Sequence, residues 1–196
     1  DKDYIKHGGS IGGPAVNLAK PAEPPKPATP QKPANPGDRT KSPTTSAAFA
    51  KHIKNDLVRY NGRVLMPTQL RTDPDYYAFY FSAHWCGPCR KFTPELVAFY
   101  NAMSKQTDNF EVIFVSSDRS EADMQEYIRS SGMRFPALDY YKRRSATAIT
   151  RYAGRGIPCL VVVDRRGRVV ADSYRGNQYI GPYEPLKKLA ALLRQG

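Results

Sequence analysis

Cysteine is scarce in this chain, which contains three cysteines, three histidines and a single tryptophan among its 196 residues. Three cysteines are too few for the disulfide framework that holds many small secreted proteins together, so the fold must depend on a hydrophobic core. Long apolar runs are also missing, because no stretch approaches the roughly 20 residues that a membrane-spanning helix needs. The sequence therefore indicates neither a disulfide-stapled miniprotein nor a membrane-spanning domain.

Acidic residues are in the minority, with 18 Asp and Glu against 30 Lys and Arg, and the formal net charge is +12. A basic surface raises the question of nucleic-acid or anionic-membrane binding. The sequence contains no nucleic-acid-binding motif, however, and the pairs Arg143-Arg144 and Arg165-Arg166 are too short and scattered to form a basic stripe. We interpret the charge as a solvated face with a preference for acidic protein partners, and we expect no nucleic-acid partner.

Proline is concentrated near the start of the chain, where nine of the 17 prolines fall within the first 43 residues. Such a Pro/Ala/Lys-rich stretch cannot bury enough apolar surface to order itself and prefers extended polyproline conformations. We predict a flexible linker over residues 1–45, more simply a spacer than a docking ligand, and a single domain over residues 46–196. The chain begins at Asp1 rather than at methionine, so a preceding signal peptide, membrane tether or further domain stays open. A cell-envelope, periplasmic or secreted location is favoured over the cytoplasm, and a monomer is expected.

The stretch with the clearest chemistry is residues 78–94. An aromatic run at 79–81 predicts a buried strand, and small residues follow it. Cys86 and Cys89 come next, separated by two residues, and the segment after them has helical character. A strand that leads into a Cys-x-x-Cys at the start of a helix is a redox pattern.

Thiol–disulfide exchange needs one exposed thiolate that attacks and a second thiol that resolves the mixed disulfide. The sulfur of Cys86 would lie beside the unpaired N–H groups and the positive dipole end of the helix, which favour the thiolate. Cys89 lies about one helical turn further along and can close a short disulfide ring. Pro88 is tolerated in the first turn because the N–H that it lacks would have no partner there.

The run Trp85-Cys86-Gly87-Pro88-Cys89 resembles the signature of the thioredoxin superfamily. Residues 80–84 and 90–94 on either side are most similar to the nucleoredoxin and tryparedoxin branch, and the resemblance extends over roughly residues 60–194. It implies an α/β thioredoxin-like fold, with a central mixed β-sheet flanked by helices, and a thiol–disulfide oxidoreductase that reduces protein disulfides. The central Gly-Pro pair is that of thioredoxin itself rather than that of tryparedoxins, and it favours reduction over oxidation.

The resemblance also implies roles for individual residues. Cys86 would attack and Cys89 would resolve, while His84 and Arg90 add positive charge that would favour the Cys86 thiolate. For His84 alone, an exposed histidine without catalytic consequence is the simpler explanation. The residues that would contact substrate are Trp85, Gly87 and Pro88 together with Ile157 and Pro158, which resemble the cis-proline loop of the family.

The partners implied are disulfide-containing proteins and an electron donor that the sequence does not identify. The resemblance implies no cofactor and no metal. Two alternatives to an enzyme stay open, which are a non-catalytic binding module with this fold and a Cys-bound metal site.

Two positions depart from the family pattern. Tyr80 stands six residues before Cys86, where thioredoxins carry a buried Asp for proton transfer. Glu95 and Asp118 are candidate replacements, although both are more simply explained as solvated helix-surface or capping residues. Cys159 directly follows Pro158, and we expect it to lie close to the cysteine pair. A packed small hydrophobe, an auxiliary redox thiol and a metal ligand shared with Cys86, Cys89 and His84 stay open for Cys159.

The remaining elements follow the order of a thioredoxin-like fold. Apolar spacing predicts a helix over residues 46–60 that ends at Asn61-Gly62, and a short strand over 63–65. The chain between Cys89 and Ile157 is longer than in a minimal thioredoxin, which predicts an inserted βα unit or a long loop. The other predicted elements are the active-site helix at 86–104, a strand at 110–116, a helix from Asp118 or Ser120 to about Ser130, a hairpin at 159–172 and a closing helix at 185–193.

We predict that Cys86 is the most reactive thiol of the reduced protein, because only its sulfur would lie at the start of the helix. Iodoacetamide at neutral pH should alkylate Cys86 first, with Cys89 and Cys159 slower, and mass mapping of partially labelled protein measures the order. Labelling of Cys89 or Cys159 ahead of Cys86 contradicts the assignment.

Overall fold

A computed structural model describes residues 46–70 and 72–194 as a β-sheet with helices on both faces. The predicted linker over residues 1–45 lies outside the described residues. The helices are α1 (Ser46–Ile53), α2 (Gly87–Met103), α3 (Glu121–Ser131), α4 (Thr147–Thr150) and α5 (Tyr183–Leu193), with a 3-10 turn at Tyr140–Lys142. The strands are β1 (Leu57–Tyr60), β2 (Leu65–Thr68), β3 (Tyr76–Ser82), β4 (Phe110–Ser116), β5 (Ala137–Leu138), β6 (Cys159–Asp164), β7 (Val169–Asp172), β8 (Tyr174–Arg175) and β9 (Gln178–Tyr179).

The main sheet is mixed, with the strand order β2-β1-β5-β4-β3-β6-β7. Strand β3 pairs in parallel with β4 over seven residues, from Tyr76 opposite Phe110 to Ser82 opposite Ser116. On its other side β3 pairs antiparallel with β6. Helices also cover both faces of the sheet at this central strand. The side chains of β3 are therefore buried along nearly its whole length, which explains its continuous apolar sequence.

Helices α2 and α3 lie on the same face of the sheet. The chain passes from β3 through α2 to β4 and from β4 through α3 to β5, and each step moves to the next strand in the same direction. Crossovers between parallel strands are almost always right-handed, so two steps in one direction place both helices on one face. Between α3 and β6 the chain forms β5, the 3-10 turn and α4, so of the two predictions for this region, a βα unit or a long loop, the structure contains a βα unit.

The two faces of β3 support two separate cores. Ala78 and Tyr80 face α2, α3 and α5, where they pack with Phe92, Leu96, Met124 and Leu189. The alternate residues Tyr77, Phe79 and Phe81 face α1 and α4, where they pack with Ile53, Ile149 and Tyr152. We call these the α2 face and the α4 face. This strict alternation follows from the two-residue period of a strand.

The predicted helix over residues 46–60 is wrong in its second half. Helix α1 ends at Ile53, and Leu57–Tyr60 forms strand β1, which pairs with both β2 and β5. Gly62 has φ +99°, but it serves the β1–β2 hairpin rather than a helix end. The strand predicted at 63–65 accordingly lies at Leu65–Thr68. The prediction failed because apolar residues at helical spacing do not distinguish one long helix from a helix followed by a strand. Both arrangements can bury the same residues of 46–60.

The other predicted elements are present. Helix α2 begins after Cys86 and ends before Ser104, and α3 begins after the capping residue Ser120 and ends at Gly132, whose φ is +66°. Strand β4 and the β6–β7 hairpin lie where the sequence predicts them. Among the described residues, none of the helices has both the length and the apolar content to cross a membrane.

Gly154 sits in a tight position behind the start of β6. A Cβ atom added at Gly154 would overlap the Tyr174 ring and come within 3.0 Å of Cys159 Sγ. Cys159 and Tyr152 are fully buried there, so little space exists for a shift on that side. A glycine is required at this position because of the close approach of Tyr174 rather than because of its backbone angle.

We predict that Gly154→Ala lowers the free energy of unfolding by about 1–3 kcal/mol, because an overpacked site forces its neighbours to move. Gly156→Ala is the matched control, since an added Cβ at Gly156 approaches Tyr174 Oη no closer than 3.5 Å. Urea unfolding followed by circular dichroism measures both. Equal stability of the two variants contradicts the prediction.

Candidate active site

The cysteine pair lies at the start of helix α2, directly beyond the end of β3. Cys86 is the N-cap residue of α2, Cys89 lies in its first turn, and a disulfide of 2.14 Å joins their sulfurs. The turn before the helix is closed by the Cys86 N–H, which donates to the carbonyl of Ala83 at 3.1 Å. Pro88 occupies the first turn of the helix, as the sequence predicts. Cys159 remains outside the disulfide as a buried thiol.

The two sulfurs differ in accessibility. Cys86 is 5% exposed, whereas Cys89 is 0% exposed. The N–H of Cys89 points at Cys86 Sγ at 3.2 Å, and the positive end of the α2 dipole lies at the same place. Both features stabilise negative charge on the Cys86 sulfur when the disulfide is open. The arrangement therefore suits Cys86 to attack and Cys89 to resolve.

The Ile157–Pro158 segment forms the wall opposite the helix. The peptide bond between these residues is cis, as the resemblance implies. Cys86 Sγ lies 3.8 Å from the carbonyl oxygen of Ile157, and the Ile157 side chain packs on the cluster of Ala83, Cys86 and Cys89. Tyr179, on the small β8–β9 hairpin, donates its hydroxyl to the carbonyl of Pro158 at 2.7 Å. The hairpin thus holds this segment against the cysteine pair.

Trp85 forms an exposed rim beside Cys86. Trp85 is 57% exposed, and its Nε1 donates to the carbonyl of Ser117 at 3.3 Å. Ser117 is held in turn because its N–H donates to the carbonyl of Ser82 at 2.8 Å. Gly87 is half-buried and Pro88 is exposed, so both present backbone or ring surface beside the sulfur. These residues form an open apolar surface around an otherwise buried disulfide.

His84 and Arg90 lie on different sides of the pair. The His84 ring stacks on Tyr127 of α3, with 5.4 Å between ring centroids. Arg90 is exposed on α2, and its N–H donates to the carbonyl of Cys86 at 3.1 Å. His84 is therefore not simply an exposed side chain, since its ring covers the α3 side of the site.

Asp118 is buried beside the active-site loop, which corrects its simpler interpretation as a solvated or capping residue. It is 4% exposed, and Ser120 rather than Asp118 caps α3. One carboxylate oxygen accepts from the His84 N–H at 2.7 Å and the other from the Ser116 hydroxyl at 2.8 Å. Burial raises the pKa of Asp118, while these two hydrogen bonds act to lower it. Asp118 ties the end of β4 to the loop that carries Trp85.

A chain of buried hydroxyl groups lies beneath Cys89, where the family pattern would place an Asp. Tyr80 Oη lies 2.8 Å from Thr93 Oγ1, which lies 2.5 Å from Tyr127 Oη, and Tyr127 Oη lies 3.1 Å from Ser82 Oγ. Thr93 also donates to the carbonyl of Cys89 at 2.8 Å. Burial raises the pKa of Tyr80 far above its ordinary value, so Tyr80 is not a base at neutral pH. Glu95, the other candidate replacement, is exposed and accepts from Tyr183.

This hydroxyl chain was not predicted from the sequence, where Tyr80 was the one member singled out. Thr93 follows Cys89 by one helical turn on the buried side of α2, and that spacing is the signal that could have found it.

Cys159 does not pack with the cysteine pair. It lies at the start of β6 opposite Phe81, and its fully buried side chain belongs to the α4 face. The cluster around the disulfide contains Ala83, Cys86, Cys89 and Ile157 instead. The Cys159 side chain therefore packs in a different cluster from the pair, although Ile157 contacts both clusters and Cys159 adjoins Pro158 in the chain. Strand alternation explains the difference, because Cys159 and its neighbour Leu160 must point to opposite faces.

A metal site built from Cys86, Cys89, His84 and Cys159 finds no support in the part of the chain that the structure describes. No three His, Cys, Asp or Glu side chains there are arranged to hold an ion. The packing of Cys159 on the α4 face and of His84 on Tyr127 separates the proposed ligands.

We predict that the effect of Asp118→Asn on stability depends on pH. Because the pKa of Asp118 is raised in the folded state, this group makes the free energy of unfolding fall as pH rises from the ordinary value of 3.8 to the raised one. Asparagine lacks that titration, so the variant should gain stability relative to the wild type across this window. Urea unfolding at a series of pH values measures the difference, with the exposed Asp108→Asn as the control for charge. A difference that shrinks with rising pH contradicts the prediction.

Comparisons with known proteins agree with this geometry. A family model described as thioredoxin-like matches residues 73–169. Human (Homo sapiens) nucleoredoxin is 38% identical over 123 residues, which cover 62% of this chain and 27% of that protein. Probable nucleoredoxin 1 of Arabidopsis thaliana is 41% identical over 96 residues, which cover 49% of this chain and 16% of that protein. The chain thus spans about a quarter or less of the length of these relatives.

Solved structures show the same similarity. Thioredoxin from Wuchereria bancrofti has a TM-score of 0.55 and 29% identity, covering 74% of this chain and 97% of that one. Tryparedoxin II of C. fasciculata has a TM-score of 0.53 and 30% identity, covering 65% of this chain and 84% of that one. Together with the disulfide at the start of α2 and the mixed sheet, these matches show that the chain belongs to the thioredoxin superfamily, and part of its sequence is similar to nucleoredoxins.

Proposed function

We propose that this protein reduces disulfide bonds in other proteins through Cys86 and Cys89. The observation that carries the proposal is the disulfide at the start of α2, in which Cys86 keeps 5% of its surface exposed and Cys89 none. A disulfide that served structure alone would not need its outer cysteine beside a helix N-terminus and an exposed tryptophan. The general oxidoreductase chemistry belongs to the family, and the protein-disulfide substrate is our proposal.

The reaction proceeds in two exchanges. The Cys86 thiolate attacks one sulfur of the substrate disulfide, which forms the Cys86–substrate bond and releases the other substrate sulfur as a thiolate. The Cys89 sulfur, after losing its proton, then attacks Cys86 Sγ and releases the second substrate sulfur. Two electrons pass to the substrate, and the protein is left with the disulfide that the structure contains. A dithiol donor must restore the reduced pair.

The surroundings of the pair support each step. Negative charge on Cys86 is stabilised by the Cys89 N–H and the α2 dipole. The backbone at Ile157 lies beside Cys86 Sγ, where an extended substrate peptide could pair with it. Burial raises the pKa of Tyr80 far above its ordinary value, so at neutral pH Tyr80 still carries its own proton and cannot accept the one that leaves Cys89. The proton therefore goes to the released substrate thiolate. We propose that the protein reduces disulfides rather than forming them, because the Gly87-Pro88 pair between its cysteines is that of thioredoxin itself.

We predict that the wild-type chain accelerates the reduction of insulin by dithiothreitol and that Cys86→Ser returns the rate to that of dithiothreitol alone, because the attacking sulfur is lost. Cys89→Ser should instead accumulate a mixed disulfide with the substrate, visible by mass spectrometry, because the resolving step is lost. Precipitation of the insulin B chain measures the rates. Cys159→Ala is the matched control and should keep turnover.

Two results would end this proposal. One is a wild-type rate equal to that of dithiothreitol alone, which would favour a binding module without turnover. The other is undiminished acceleration by Cys86→Ser, which would place the chemistry elsewhere.

A further inference from the structure

A basic cavity opens beside Trp85 at the same end of the sheet as the disulfide. It has a volume of about 580 Å³ and lies against the ends of β3 and β4 on the α4 face. The residues that matter for its chemistry are Phe81, Ser117, Tyr140, Tyr141, Arg143 and Arg144, and we call it the arginine pocket. Its lining contains two arginines and no carboxylate.

The pocket adjoins both walls of the redox site. On one side Ser117 lines the pocket and accepts the hydrogen bond of Trp85 Nε1. On the other side Thr150 and Ala153 line it, and the chain continues from them to the Ile157–Pro158 segment. Ligands of open parallel sheets commonly bind beyond the carboxyl ends of the strands, where this pocket lies. A polypeptide whose disulfide reaches Cys86 would therefore pass the mouth of the pocket.

Arg143 is held in place without losing its charge. Its Nε donates to the carbonyl of Tyr140 at 2.9 Å, and its Nη1 donates to the carbonyls of Ser116 and Asp118 at 3.0 and 3.2 Å. Its guanidinium lies 3.6 Å from the centroid of the Tyr140 ring. These partners are neutral, and within residues 46–70 and 72–194 the second terminal nitrogen of Arg143 donates no hydrogen bond. A fixed guanidinium with donors to spare suits a carboxylate.

Arg144 adds a second positive charge at the rim. It is exposed, and its side chain forms no ion pair or hydrogen bond with any residue that the structure describes. The acidic groups nearby lie outside the lining. Asp139 accepts from the Tyr141 N–H at 2.8 Å, Glu121 accepts from the Tyr141 hydroxyl at 3.4 Å, and Asp118 is buried on the active-site loop. The lining itself therefore carries two positive charges and no negative one.

The occupant also needs apolar surface. Tyr141 is 75% exposed, and Phe81 and Val115 form the floor of the pocket. A polypeptide matches this combination when it presents a carboxylate to the guanidinium and the apolar part of its side chains to the rings.

We infer that the arginine pocket binds acidic side chains next to the disulfide of a substrate protein, so that the enzyme prefers disulfides flanked by Glu or Asp. The inference rests on the proposed function, because the pocket can select substrates only if the neighbouring Cys86 reacts with their disulfides. It concerns substrate choice and leaves the exchange chemistry unchanged.

The test uses two peptides that each contain one disulfide and differ only in three residues on either flank, which are Glu in one and Gln in the other. Dithiothreitol regenerates the reduced protein, and kcat/KM is measured for both peptides with the full chain. We expect a preference for the Glu peptide that declines with added salt. Arg144→Gln should reduce kcat/KM for the Glu peptide by about 3-fold, as expected for one exposed ion pair, and leave the Gln peptide unaffected.

Charge reversal sharpens the comparison. Arg144→Glu should reduce kcat/KM for the Glu peptide further, because repulsion replaces attraction. Arg166→Glu is the matched control, since Arg166 is exposed in the β6–β7 turn at the opposite end of the sheet and changes the net charge equally. Arg143 is not substituted, because it also binds two main-chain carbonyls at the end of β4.

Binding is measured separately from turnover. Trp85 is the single tryptophan of the chain and shares Ser117 with the pocket, so its fluorescence reports a ligand bound there. S-methylated versions of the two peptides cannot be reduced, and the Glu version should bind with the lower Kd. Arg144→Glu should remove that difference and Arg166→Glu should preserve it.

The outcomes are distinct. An active enzyme that reduces both peptides equally, or loses its preference to the same extent in Arg144→Glu and Arg166→Glu, overturns the arginine pocket and leaves the proposed function standing. Turnover of neither peptide above the dithiothreitol rate overturns the proposed function and this inference with it.

Discussion

The parallel pairing of β3 with β4 is the constraint on which the site depends. Their last paired residues are Ser82 and Ser116, so the segments that follow the two strands leave the sheet at the same end. The segment after β3 leads to the cysteine pair. In the segment after β4, Ser117 accepts a hydrogen bond from Trp85 and Asp118 accepts one from His84. A slip of one residue would exchange the faces of β3 and take Tyr80 out of the core beneath Cys89. The register of this pairing therefore determines where Cys86, Trp85 and Tyr80 lie relative to one another.

The sequence predicted the elements whose signals are local. The β3–α2 unit combines an apolar strand, a cap and Pro88 within a few residues, and α3 has Ser120 and Gly132 at its ends. Strand β1 was mistaken for the end of a helix because its pairing partners lie in β2 and, much later in the chain, in β5. No pattern within residues 46–60 shows that pairing strands exist elsewhere in the chain. Pairing with those distant strands is what makes residues 57–60 a strand rather than the end of a helix.

Polar residues at the site were harder to predict than apolar ones. Asp118 lies in a polar run, where a carboxylate normally faces water, and its burial arises from two partners on separate segments, His84 and Ser116. The hydroxyl chain under Cys89 likewise draws on Tyr80, Thr93 and Tyr127 from three elements. Hydrogen-bond networks of this kind emerge only when the elements meet, whereas the chemistry of the Cys-x-x-Cys is contained in one short segment.

The burial of two of the three sulfurs limits how many covalent partners the protein can hold. Cys89 is enclosed by α2, and Cys159 lies on the α4 face behind Gly154 and Tyr174. Of the three cysteines, only Cys86 keeps any exposed surface, so only Cys86 can meet a sulfur on another molecule while the domain is folded. The reduced domain is thus monovalent toward disulfides, so oxidation can join it to one partner at a time but cannot link several copies of it into chains or networks.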